Sequence, residues 1–173
     1  MSFEPLAEFF ATHRRLRDCL KIARRAIDSD RLELLDGTDF IAASREQAAE
    51  WIDQARKDAD DLAVVALWAW FERHLIEYAQ VRAESVGTST RSAFAAELKA
   101  KVTNEIEYWR VDEILDVFKS IIEADQIGIA KQVKKYRDWI AHRNPNRLPP
   151  AQTEPTSAYS LLAAIINAVD EAS

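Results

Sequence analysis

Apolar residues along the chain recur mostly at steps of three and four, the period of a helix rather than the alternation of a strand. From Pro5 to about Ser29, Phe9, Leu16, Leu20, Ala23 and Ile27 mark one face. Arg14, Arg15, Arg17, Lys21, Arg24 and Arg25 lie between them as a basic outer face, and His13 among them reads as a surface histidine. Residues 31 to 40 break the pattern. There Leu32, Leu34 and Phe40 flank Asp36-Gly37, a turn signal that fits a short hairpin. Ser44 followed by Gln47 predicts a capping box. It opens a long helical region to about Ser85, closed by Gly87. Residues 62 to 71, LAVVALWAWF, are apolar on nearly all sides, so this half of the helix is expected to be the most buried. Just before it, Lys57, Asp58, Asp60 and Asp61 read most simply as a solvated face where the helix can bend, with carboxylates that could also meet a basic partner.

Four further helices follow. Residues 90 to 107 carry Phe94, Leu98, Val102 and Ile106 at helical spacing, and residues 112 to 123 carry Ile114, Leu115, Phe118, Ile121 and Ile122. After Gly128, a helix through Ile129, Val133, Tyr136 and Ile140 reaches about His142. Pro145, Pro149, Pro150 and Pro155 keep the next stretch extended. Residues 157 to 172 form a terminal helix with Leu161, Leu162, Ile165, Ile166 and Val169 on one face. The expectation is one all-α domain over residues 1–173. It is an up-and-down helical bundle of about five to six helices, with the terminal helix packed on it.

Composition narrows the function classes. The 173 residues include only 3 Gly and 5 Pro, too few for a loop-rich or many-stranded fold. A net charge of -6 argues against coating nucleic acid by bulk electrostatics, though not against a local basic site. The lone Cys19 cannot form an internal disulfide, which fits a reduced, cytoplasmic setting. The N-terminus shows no basic segment followed by an apolar one, and the run at residues 62 to 71 stops at Glu72, Arg73 and His74. No signal peptide and no membrane association are expected. Carboxylates and histidines nowhere gather at metal-ligand spacing, so neither a metal nor another cofactor is expected.

The chemistry concentrates at residues 131–147, KQVKKYRDWIAHRNPNR. Lys131, Lys134, Lys135, Arg137, Arg143 and Arg147 face only Asp138 in opposite sign. For the lysines alone, a solvated helix end complementing the macrodipole is an equal reading. Cations that continue past the helix end, beside a histidine, favour an anion site. At about 100° per residue, Arg137 falls about 40° from Val133, at the edge of the apolar face. His142 falls about 140° further round and about 7.5 Å along the axis. Asp138 precedes His142 by four residues, close enough to hold the imidazole in one tautomer. Ala141, between Arg137 and His142 around the helix, leaves room for a ligand. Arginine suits a phosphate through its planar fork of donors, and histidine gives and takes protons near neutral pH.

Arg137-Asp138-Trp139-Ile140-Ala141-His142 resembles the signature of the HEPN family: an arginine, a polar residue, and a histidine after a short spacer, late in an all-α domain. YRDWIAHRN is similar to the ribonuclease-type members found in toxin-antitoxin and phage-defence systems. The motif covers only that segment, while the helical layout agrees over most of the chain. The resemblance implies metal-independent RNA cleavage, in which a 2′-hydroxyl attacks the neighbouring phosphate to leave a 2′,3′-cyclic phosphate. It implies that His142 is general base or acid, that Arg137 neutralises charge on the transition state, and that Asp138 orients one of them. Lys134, Lys135, Arg143, Asn144 and Arg147 would hold RNA. Glu72, with Arg73 or His74 as rivals, would be the supporting polar residue on an earlier buried helix.

The resemblance further implies a homodimer with a composite active site, and an antitoxin or other regulatory partner. Asn144 stands where a toxin subgroup has a tyrosine that a partner enzyme modifies, so control by that route is not expected here. Two other readings compete. One is a non-catalytic HEPN module that binds nucleotide, RNA or a protein partner; the other is a helical scaffold with a chance motif. Among the remaining residues, His74 reads as a partly buried structural histidine, Trp68 and Trp70 as core or dimer surface, and Trp139 as a dimer contact.

Overall fold

A computed structural model describes residues 4–29, 31–89, 92–142 and 148–172. Six α-helices carry the fold, and no strand occurs among the described residues. They are α1 (Glu4–Asp28), α2 (Arg45–Ser89), α3 (Ala93–Glu105), α4 (Val111–Val117), α5 (Ala124–His142) and α6 (Pro155–Glu171). None of them is long and apolar enough to cross a membrane.

The 45-residue α2 is the axis of the molecule, about 68 Å long at 1.5 Å per residue. Its start is the capping box that the sequence predicts. Ser44 Oγ accepts from the Gln47 backbone N–H at 3.2 Å, and Gln47 Oε1 accepts from the Ser44 N–H at 3.1 Å. Its end runs past Ser85 and through Gly87 to Ser89, further than the glycine predicts. A lone glycine costs a helix only about 1 kcal/mol, which packing on the rest of α2 readily offsets.

Cross-helix pairs fix the directions. His13 meets Asp60, Arg24 meets Asp53 and Arg45 meets Asp28, so α1 runs antiparallel to the first half of α2. Phe10 stacks on Tyr159 near the start of α6, while His74 meets Asp170 near its end. Hence α6 runs parallel to α2. Phe118, before α5, lies against Tyr78, whereas Tyr136 near the end of α5 bonds to Asp61. Therefore α5 runs back along α2 and delivers its C-terminus to the Asp60–Asp61 level.

Leu67, Trp68, Phe71 and Leu75 of α2 are fully buried between Ile114 and Leu115 of α4, Val133 of α5 and Leu162, Ile165 and Val169 of α6. This matches the expected burial of residues 62 to 71 only in part: Leu62, Ala69 and Trp70 lie off that stripe, with Leu62 63% and Trp70 47% exposed. A smaller cluster of Ala26, Ile27, Leu35, Ala48 and Ile52 closes the outer end of the α1–α2 pair.

The expected hairpin at residues 31 to 40 is absent. Short 3₁₀ turns at Leu32–Leu34 and Asp39–Ala42 replace it, with Gly37 at φ 73 between them. Leu35 is the cause, because its burial in the small cluster folds the segment onto α1 rather than onto itself. In α3, Phe94 and Leu98 are exposed and Ala95 is buried instead, while Ile106, just past its end, is buried as expected. The terminal helix starts at Pro155 rather than residue 157, with proline at its first position, where its missing N–H is no loss.

Candidate functional site

α5 starts at Ala124, ahead of Gly128, and continues unbroken to His142. Its buried residues are Ile127, Ala130, Val133, Tyr136 and Ile140. Steps of three fall about 60° short of a full turn, so this stripe drifts around the helix as it crosses its neighbours. The drift explains why Ile129, expected in the core, is 48% exposed: it lies over 90° from the face its own turn presents.

The same drift sets the site. At the level of Tyr136 and Ile140, Arg137 sits at the edge of the contact face and His142 nearly opposite it. Arg137 is accordingly half-buried and His142 exposed. The Arg137 Nη1 donates to Asp138 Oδ1 at 3.0 Å, while its Nε is buried without an acceptor. Lys134 Nζ donates to Asp138 Oδ2 at 2.7 Å. Burial pushes the Asp138 carboxyl up, but the bonds from Lys134 and Arg137 outweigh it and hold the group below its ordinary value. Asp138 is therefore committed to two cations. Its partner is Arg137 rather than His142, which has no hydrogen-bond partner among the described residues.

Lys135 is exposed one turn before Trp139, and Lys131 reaches Asp112 and Asp116 at 3.8 Å. Trp139 is half-buried, stacks on Tyr136 with centroids 6.2 Å apart, and buries its indole N–H without an acceptor. Arg143, Asn144 and Arg147 lie outside the described residues. Among the described residues, no three histidine, cysteine, aspartate or glutamate side chains gather as metal ligands.

Glu72 is half-buried on α2, about three turns beyond Asp61, at the level where His74 meets Asp170. That is the opposite end of α5 from Arg137 and His142. The acidic residue that α2 offers to the C-terminal half of α5 is Asp61, which is 2% exposed and accepts from the Tyr136 hydroxyl at 2.6 Å. Burial, and then this bond, pushes the Tyr136 phenol up, so it stays a neutral donor.

The run through Asp60 and Asp61 is thus no solvated face. Asp60 is also largely buried, held by His13 Nε2 at 2.8 Å and Arg17 at 3.4 Å. Nor is His13 a surface histidine, at 6% exposed. The missed signal is the helical register. Asp60 and Asp61 precede Val64 by four and three residues and Trp68 by eight and seven, which places them on the flank of the buried stripe. His74 is the structural histidine that its position predicts, largely buried on Asp170 at 3.0 Å. Compared with models of known families, with curated proteins and with solved structures, the chain finds no match.

Proposed function

We propose that the chain is a HEPN-type, metal-independent endoribonuclease, of the kind that serves as a toxin or phage-defence effector. The observation that carries this reading is the end of α5. One unbroken helix bears a half-buried arginine with an unsatisfied N–H and, beyond it, an exposed imidazole with no hydrogen-bond partner among the described residues. An arginine at the boundary of a core gives a rigid fork for a phosphate. A free imidazole transfers protons. Arg137 neutralises charge that builds on the phosphorane-like transition state, His142 moves the proton, and Asp138 holds Arg137 in place.

The two groups lie about 140° apart around the helix, so one copy spreads them over a wide face. A second copy facing it puts two arginines and two histidines around one phosphodiester, and the homodimer is part of the proposal. Lys134, Lys135, Arg143, Asn144 and Arg147 then follow the RNA backbone. The test is cleavage of RNA by purified chain in excess chelator. Replacing His142 or Arg137 by alanine is expected to slow it about 100-fold or more.

One observation favours the second reading, a HEPN module that binds RNA, nucleotide or protein without cutting. Asp138 is tied to Lys134 and Arg137, so no described carboxylate orients the imidazole. That reading predicts RNA binding that weakens in Arg137→Ala, with no cleavage by any form of the chain.

A further inference from the structure

A second basic site lies on another helix pair. Between α1 and the first turn of α6 is a cleft of about 280 Å³, open to solvent. Arg14, Arg17 and Lys21 line it from α1, three cations on successive turns of one face, and Thr156 lines it from α6. Asp18 is the carboxylate among them, paired to Lys21 at 2.8 Å, and Arg17 leans on Asp60 at 3.4 Å. Arg14 is exposed and has no ion-pair partner among the described residues.

One further feature points to an anion. The N-terminus of the 17-residue α6 is uncapped: Glu154 stands at the cap position without a side-chain bond, and Pro155 follows it. Backbone N–H groups of the first turn, Thr156 among them, therefore lack helical acceptors and present the positive end of the dipole. In addition, His13 lines the cleft although it is 6% exposed, and its Nδ1 has no partner. Asp60 fixes the ring through Nε2, while Nδ1 is closed off from solvent.

We propose that this cleft binds the phosphate group of a small phosphorylated ligand, clamped between Arg14, Arg17 and Lys21 of α1 and the uncapped start of α6. Its size decides for a small ligand over a nucleic-acid strand, since it is at or below the smallest ligand pockets, about 300 Å³. The site is independent of the α5 reading and stands if that reading fails.

The test is calorimetric titration of the full chain with pyrophosphate in one arm and ADP in the other. Arg14→Gln and Lys21→Gln are chosen because both side chains are exposed and leave the core intact. Each is expected to weaken binding about 10- to 100-fold. Arg15→Gln, on the same helix but outside the cleft, leaves it unchanged. Binding of both probes identifies the phosphate alone as the ligand, and binding of ADP alone identifies a nucleotide; loss in Arg14→Gln supports the site in either case. Failure of both probes to bind, or binding indifferent to Arg14→Gln and Lys21→Gln, overturns the proposal.

Discussion

His13 and His142 look alike in the sequence, each a histidine among arginines and lysines with aspartate nearby, yet the fold treats them as opposites. His13 is buried in the middle of a helix pair, and a carboxylate from another helix holds it at 2.8 Å. His142 is exposed at a helix end, and the carboxylate one turn before it serves Lys134 and Arg137 instead. Tertiary partners, which spacing along one helix does not reveal, decide which imidazole is fixed and which has no partner among the described residues. A fixed ring supports structure. A free ring at a basic edge suits proton transfer to a bound chain.

The contrast can be broken most sharply by exchanging the readouts. His142→Ala is expected to lose RNA cleavage by about 100-fold or more while its melting temperature stays unchanged. His13→Ala is expected to do the reverse, losing about 1–3 kcal/mol in chemical denaturation because Asp60 forfeits a bond in a mostly buried place. Equal melting shifts in the two variants would erase the distinction. Tyr136→Phe probes the link between the two regions. It strips the buried Asp61 of its 2.6 Å bond, for an expected loss of about 1–3 kcal/mol on the same denaturation curve.

Two smaller effects sharpen the picture. Ser44→Ala removes the side-chain half of the capping box and should cost about 1 kcal/mol, with no change in cleavage. Asp138→Asn should lower stability at neutral pH and leave it little changed in acid, where the native carboxyl is protonated as well. The folded carboxyl sits below its ordinary value of 3.8, so its stabilising share is present above that pH and fades as pH falls through the folded value. The pair is about one-third exposed, which limits the effect to less than about 1 kcal/mol, read as a flatter stability profile below about pH 4. An unaltered acid limb in Asp138→Asn would show that the Lys134 and Arg137 bonds carry no net stabilisation.

Much of the fold is legible in the sequence because helical periodicity is a local signal. It gives the six helices, and Ser44 with Gln47 gives the start of α2. Leu67, Trp68 and Phe71 lie in the run expected to be buried. The misses have a common origin in packing between elements. Leu35 draws its segment into a turn, the drift of the α5 stripe exposes Ile129, and α2 places Asp61 rather than Glu72 beside the end of α5. At the candidate site, Arg137 and Asp138 lie within the same helical turn, so their contact is legible in advance. The destination of Asp138 was open between two neighbours, and the choice of Arg137 over His142 emerges only with side chains in place.

The most direct test of the account follows one phosphodiester. Purified chain is incubated in excess chelator with an RNA that is cut at a mapped position, and with the same RNA carrying a single 2′-deoxy nucleotide there. The account predicts a 2′,3′-cyclic phosphate end from the first, no cut at that position in the second, and no product from His142→Ala. Cleavage that persists in the deoxy substrate or in His142→Ala, or that appears only when a divalent ion is added, would contradict it.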